Sequence, residues 1–400
     1  MNRIISCMLI VTGNMFCQTA LSQTADSSFK PSGKLWGLAF GDYYYKAHSD
    51  SQNRGGSNQY SGIEQGRNAF QIRRIYLGYQ YELHPKFSAE VLLAAEDNQV
   101  LSSGSTSGDL LIDNKLSIYI KLANLRWKNI WKGTDLIIGQ SNTPTYNYSS
   151  DPVWSYRPIE RTMLDIRRNP STDLGLALQG KFDPASGNLG YHIMVGNGTG
   201  SRPENDRFKR FYGDVYAKFL NKKLIVDLYS DYERLNWKEG FHHSKSIFKI
   251  FVGYSSPQLS VGIEAFSQNN QSDYTVFPPS ILGTPPTDTL SGRSRGISLF
   301  VHGMLVKNRL RFFARADQFN PYTDHGKGGT IYHALQSNLD PNNKELFITT
   351  GLDFIVVPNV HLMPNIWYER YTNQNESLSG SSFRDHDLVY RVTFYFVFGK

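Results

Sequence analysis

Residues able to do chemistry gather most densely between Asp151 and Arg168 of the 400-residue chain. Four arginines, Arg157, Arg161, Arg167 and Arg168, stand there against three carboxylates, Asp151, Glu160 and Asp165. Arginine keeps its charge at any ordinary pH, so this grouping makes a local field that acts on ions, not a centre for proton transfer. A hydrolytic site would need a serine or aspartate beside a histidine with an orienting partner, and the ten histidines are scattered. His242-His243 beside Ser244 reads as a solvated loop pair. No HExxH, no Walker-type glycine loop and no Asp-x-Asp-x-Asp-Gly calcium loop occurs in the sequence. The chain is accordingly read as neither an enzyme nor a cofactor or metal protein.

The framework that must carry these charges shows best at 387–398 (DLVYRVTFYFVF). Leu388, Tyr390, Val392, Phe394, Phe396 and Phe398 fall on one face of a period-two strand, and Asp387, Val389, Arg391, Thr393, Tyr395 and Val397 on the other. An apolar, aromatic-ended face opposite a mixed one is the pattern of a strand with lipid on one side and a wet interior on the other. A half-buried strand of a soluble β-protein is the competing reading of this stretch alone.

Composition leaves both readings open. Mean hydropathy is −0.41, yet Tyr and Phe number 24 each and Gly 34, and a barrel strand needs only alternate apolar residues to span a bilayer. Arg3 followed by the apolar run 4–16 and by Ala20-Leu21-Ser22 is expected to be a secretory leader, 1–22, cut after Ser22. Cys7 and Cys17 both lie within it, so disulfide and thiol chemistry would be lost with the leader. The formal net charge of +7 is too modest for a chain of this size to imply nucleic acid.

After a polar lead-in at 23–32, strands are expected near 33–46, 69–83, 87–97, 115–127, 134–141, 172–182, 189–197, 210–219, 224–233, 246–255, 259–268, 295–304, 310–317, 346–357, 360–371 and 386–398. Seven of the connections are short, such as Pro358-Asn359, and they alternate with eight long ones rich in Gly, Ser, Asn and Pro. An up-and-down meander with short turns at one rim and long loops at the other is the plan of a transmembrane antiparallel β-barrel of about 16 strands, here 33–400. A soluble sandwich has no reason to sort loop lengths by end. Two local irregularities are expected. Arg126 appears as a charge out of phase near a strand end, and Pro364 inside a strand implies a bulge or weakened pairing.

Three stretches resemble the phosphate-selective porin O/P family of outer membranes: 70–97, whose Arg73-Arg74 precedes an aromatic strand; 137–145 (IIGQSNTPT); and 160–182, which opens on Glu160-Arg161 and returns through Asp173-Leu174-Gly175. The resemblance implies homotrimers of sixteen-stranded barrels. It also implies that the third long connection, 141–171, folds into the lumen as a constriction carrying Arg157, Arg161, Arg167, Arg168, Asp151, Glu160 and Asp165. The basic lumen-wall residues expected from alternation are Arg74, Lys121, Lys181, Lys218, Lys249, Arg311, Arg315 and Arg391, facing twelve inward acids. A phosphate ladder would be unopposed by acids, so the expected function is passive diffusion of small hydrophilic solutes or ions across the outer-membrane bilayer, with at most a mild preference for anions. The alternative is a surface-binding protein or adhesin acting through its loops, foremost 269–294.

Overall fold

The computed structural model describes residues 29–55, 58–96, 118–167, 169–235, 242–276, 288–321, 331–334, 343–373 and 384–399. The expected leader, residues 23–28 of the lead-in, Arg168 and the Pro278-Pro279 and Pro285-Pro286 pairs lie outside them. Short turns set the register of the hairpins. At Pro358-Asn359, proline fixes the first turn residue and Asn359 takes φ of 68°, which reverses the chain in two residues. At Lys132-Gly133, Gly133 supplies φ of 80°.

The strands are β1 (Ser32–His48), β2 (Asn68–His84), β3 (Phe87–Glu96), β4 (Ile118–Trp131), β5 (Thr134–Asn142), β6 (Thr172–Lys181), β7 (Leu189–Gly196), β8 (Arg210–Phe219) and β9 (Leu224–Leu235). They continue as β10 (His243–Ser255), β11 (Leu259–Val276), β12 (Asp288–Val306), β13 (Leu310–Asn320), β14 (Ile331–Ala334), β15 (Asn343–Val357), β16 (Val360–Asn373) and β17 (Arg384–Phe398). Each pairs antiparallel with the next, except that β13 passes over β14 to pair with β15. β17 pairs back with β1 from Gly37↔Phe398 to His48↔Leu388, so sixteen strands close a barrel. The start of β1 and the end of β17 both lie at the short-turn rim. β14 stands outside the ring and pairs with the far end of β11.

Alternation sorts the two surfaces as expected. On β17, Tyr390, Val392, Phe396 and Phe398 are exposed while Asp387, Val389, Arg391 and Thr393 are buried. Leu174, Leu176, Ile193, Val215, Leu228, Ile250, Ile263 and Leu299 continue the outward apolar band around the barrel. An apolar surface of that extent is stable against lipid, not water. No described helix is long and apolar enough to cross a membrane, so any crossing belongs to the strands.

The lumen is less uniformly wet than alternation implies. Trp154, Tyr156 and Ile159 of the third long loop pack on Phe251, Phe300, Phe313 and Met363 of the wall. Tyr146, Met163 and Leu164 of the same loop pack on Tyr212, Tyr229, Phe266 and Phe319. Residues of the first long connection also enter. Tyr60 and Ile63 join Tyr44, Phe347 and Trp367 in a further buried cluster.

Three irregularities change the reading of individual residues. β4 carries a bulge where Leu92↔Leu122 is followed by Leu93↔Ile120, leaving Lys121 as the extra residue. The bulge shifts the phase of β4, so Arg126 is an inward residue, 2.9 Å from Asp135 and from Gln179. A second bulge lies opposite Phe40/Gly41, where Arg73 is extra, and both Arg73 and Arg74 are buried. Pro364 keeps its place opposite Val392 of β17, but the ladder to β15 breaks beside it, between Gly351↔Asn365 and Phe354↔Leu362. Weakened pairing without a bulge is what a residue lacking an N–H produces. The stretch 269–294 is not simply a loop, since β11 and β12 extend as a hairpin to Val276 and Asp288.

Candidate pore constriction

The loop between β5 and β6 is tied at its neck by the hydroxyl of Thr143, which donates to the Pro170 carbonyl at 2.7 Å, and by Asn147 Nδ2, which donates to the carbonyls of Thr143 and Ser171 at 3.0 and 2.7 Å. Two short helical turns follow, α1 (Ser150–Trp154) and α2 (Met163–Ile166). α1 ends where Ser155 adopts φ of 51°, and this left-handed residue turns the chain toward Tyr156 and Pro158.

Basic wall residues hold the loop across the barrel by donating to its backbone carbonyls. Arg73 reaches Pro158, Arg391 reaches Ile159 at 3.0 Å, Arg315 reaches Arg161, and Lys249 reaches Thr145. Trp367 Nε1 adds a bond to Glu160 Oε2 at 3.0 Å, and His302 Nε2 one to the Val153 carbonyl at 2.8 Å. These donors come from β2, β10, β12, β13, β16 and β17, so the loop is fixed from several sides of the ring. The clamps are themselves neutralised: Lys249 by Asp227 at 2.7 Å, Arg315 by Asp317, and Arg73 by Asp42 at 2.7 Å.

Within the loop the expected residues come together, and they come together as pairs. Arg157 bridges Asp151, at 3.1 Å, and Asp165. Arg161 lies 3.7 Å from Glu160. Arg167 turns away, pairing with Glu345 of β15 at 2.6 Å with its guanidinium 3.7 Å over the Phe319 ring. Arg168 lies outside the described residues. On the facing wall, Lys121 pairs with Glu96 at 2.9 Å and Arg74 with the same carboxylate at 3.4 Å. Lys181 is exposed near the short-turn rim, and Arg311 approaches His302 Nδ1 at 3.3 Å.

Electrostatics follow the pairing. Burial opposes ionisation of Asp165, but Arg157, Arg161, Arg74 and Lys121 outweigh it and hold the carboxyl below its usual range. Glu160 is likewise held low against burial by Arg161 and Arg391 and by the Trp367 bond. Arg157 is driven well above its ordinary value because Asp165 and Asp151 more than offset its desolvation. Burial pushes the Tyr148 phenol up to about 12.

Alternation found Arg74, Lys121, Lys249, Arg315 and Arg391 on the inner face but missed Arg73, because only a bulge puts two consecutive residues on one side. It also missed Tyr60, which lies 3.2 Å from Asp42 and 3.3 Å from Arg391. A lone tyrosine in a Gly- and Ser-rich loop carries no sequence signal for insertion. Ser155 Oγ lies 3.4 Å from His302 Nε2, which brings a hydroxyl beside an imidazole but not in a catalytic arrangement. His302 Nε2 bears its proton toward the Val153 carbonyl and cannot take one from Ser155, and its other nitrogen faces Arg311 instead of a carboxylate.

A closed, outwardly apolar barrel of sixteen strands with a long loop pinned across its lumen defines the porin-like class of β-barrel. Comparison with solved structures gives the same class. The outer membrane channel DcaP of Acinetobacter baumannii superposes with a TM-score of 0.62 at 12% identity, covering 94% of this chain and all of that one. The anion-selective porin of Comamonas acidovorans gives 0.55 at 11%, covering 92% and 100%. The trimer form of the Vibrio cholerae outer membrane protein OmpT gives 0.54 at 9%, covering 92% and 100%. No family model matches the chain, and no curated protein matches it in sequence.

Proposed function

We propose that the protein is an outer-membrane pore for passive diffusion of small hydrophilic solutes, narrowed by the loop at 141–171 and mildly favouring anions. The observation that carries this reading is the split in solvent access among the lumenal charges. The clamps are sealed, with the side chains of Lys249 and Arg315 at 0% and 1% exposure. Those of Asp151, Arg157 and Arg161 keep 22%, 18% and 17%. Only groups that water reaches can act on a passing ion. Arg157, Arg161, Asp151 and Asp165 of the loop stand close to the less exposed Arg74, Lys121 and Glu96 of the facing wall, at 9%, 9% and 10%, which makes four cations against three carboxylates, and the open wall pair Arg126 and Asp135 adds one of each. That surplus is too small for phosphate specificity, so phosphate would pass as one small anion among others. Export by the expected leader and assembly as a homotrimer belong to the same proposal. The trimer is supported by the family resemblance and by the trimeric Vibrio protein.

The reversal potential under a salt gradient tests the selectivity. A unit charge about 7 Å from an ion in water is worth roughly 0.6 kcal/mol, about a factor of three in partition. Replacing Arg161 and Arg168 by alanine is therefore expected to move the permeability ratio toward cations by about that factor per charge, with the barrel still folded. A wild-type pore that already prefers cations would mean that the wall acids set the field and the loop does not.

A further inference from the structure

At the loop-side end of the seam where the first and last strands meet, His48 of β1 and Asp385 and His386 of β17 bring three ligand atoms within 4.8 Å of one another. We propose that this trio binds a zinc-class transition dication that clips the barrel seam. Among the described residues no other trio of His, Cys, Asp and Glu meets that spacing.

His48 Nε2 lies 2.8 Å from Asp385 Oδ1, and His386 Nδ1 lies 3.7 Å from the same oxygen. Two imidazoles and one carboxylate with an aqueous fourth position form a zinc donor set, whereas calcium and magnesium call for oxygen ligands throughout. The carboxylate is already oriented: the Ser51 N–H donates to Oδ2 and the His386 N–H to Oδ1, each at 2.8 Å. Fixed outer partners of this kind pre-organise a metal ligand. The three side chains keep 37%, 15% and 34% of their exposure, which leaves a route for the ion and room for its water.

The imidazoles stack at 4.1 Å between centroids with 17° between their planes, so binding requires the rings to splay until both nitrogens point at one ion. His48 and Asp385 stand 337 residues apart in sequence. A clip between them closes almost the whole chain, the case in which a cross-link removes most freedom from the unfolded state. It also fastens the base of the first long connection, whose Asp50 N–H already donates to Asp387 Oδ1 at 2.8 Å. The competing account is that the histidine–aspartate bond and the stacked rings are ordinary rim contacts.

Calorimetric titration of the untagged, metal-stripped, detergent-solubilised chain with zinc chloride separates the two. The proposal expects one zinc per chain and a heat-unfolding midpoint that rises with zinc. It expects His48→Ala, His386→Ala and the near-isosteric Asp385→Asn each to weaken binding at least tenfold, with His84→Ala, at the opposite rim, unchanged. Heat-modifiable electrophoretic mobility identifies folded barrels, and Asp385→Asn decides the matter where an alanine variant does not fold. A wild type that binds no zinc at sub-millimolar concentration, or binding that survives all three substitutions, overturns the site.

Discussion

Replacing Val392 by arginine is expected to stop most of the chain from assembling into a folded barrel. Val392 is the ninth residue of the fifteen in β17 and keeps 45% of its exposure on the outer face. It is flanked across the ladders by Tyr43 and Pro364. Each of its outward neighbours is apolar or aromatic, so no carboxylate is at hand to pair with a cation. An arginine near the bilayer midplane of a barrel costs about 2–4 kcal/mol, falling to about 0–1 kcal/mol near the interfaces. Val392 also belongs to the strand that closes the ring on β1, where lost pairing opens the whole cylinder. Val357→Arg, at the short-turn end of β15 with Val357 at 53% exposure, is the depth control and should assemble nearly normally. Measured as the heat-modifiable fraction after refolding into vesicles, equal yields for the two variants would mean that this face does not lie in lipid.

Trp154→Ala should release the loop at 141–171 from the wall while leaving the barrel intact. Trp154 is fully buried, its ring packs 5.2 Å from Phe300 and 5.6 Å from Tyr156, and its Nε1 donates to the Glu160 carbonyl at 2.8 Å. Truncating a buried tryptophan costs about 3–5 kcal/mol. The sheet that carries the barrel does not depend on this side chain, so the loss falls on the seating of the loop. Since about 1.4 kcal/mol is tenfold, forms with the loop unseated should rise by roughly two orders of magnitude or more. Trypsin reports this directly, because cleavage after Arg161, which Thr162 follows, requires the loop to leave the lumen and tracks the open population when reclosing is fast. The wild type should resist, and the variant should be nicked there with the barrel still folded. Equal resistance would mean that the four wall cations hold the loop without the tryptophan.

The strand ladder was legible in the sequence because alternation survives in nearly every strand and loop length sorts by rim. The twelve inward acids were legible for the same reason: from Glu82 to Asp387, each falls on the buried or half-buried face. Alternation fails only where backbone regularity does. A bulge at Lys121 turned Arg126 inward, and one at Arg73 doubled the basic face of β2, and neither leaves a mark on composition. The loop was a different problem. Its arginines could be counted, but whether they face solutes or neighbours depends on contacts between segments far apart in the chain. Arg167 is spent on Glu345, and Arg157 on two carboxylates of its own loop. Alternation put a mixed face toward the lumen but did not mark which of its apolar residues would seat the loops, as Phe313 does for Trp154 and Trp367 for Tyr60. Pairing within the lumen, and not the charge count, decides which groups an ion meets.

The account rests on an aqueous path through the barrel that the loop narrows, and single-channel conductance in a planar bilayer tests this most directly. The wild type is expected to form discrete open channels, and the chain lacking 149–165 to form channels of clearly higher conductance with a normally assembled barrel. Absence of channels from correctly folded wild type, or equal conductance for the two proteins, would contradict it.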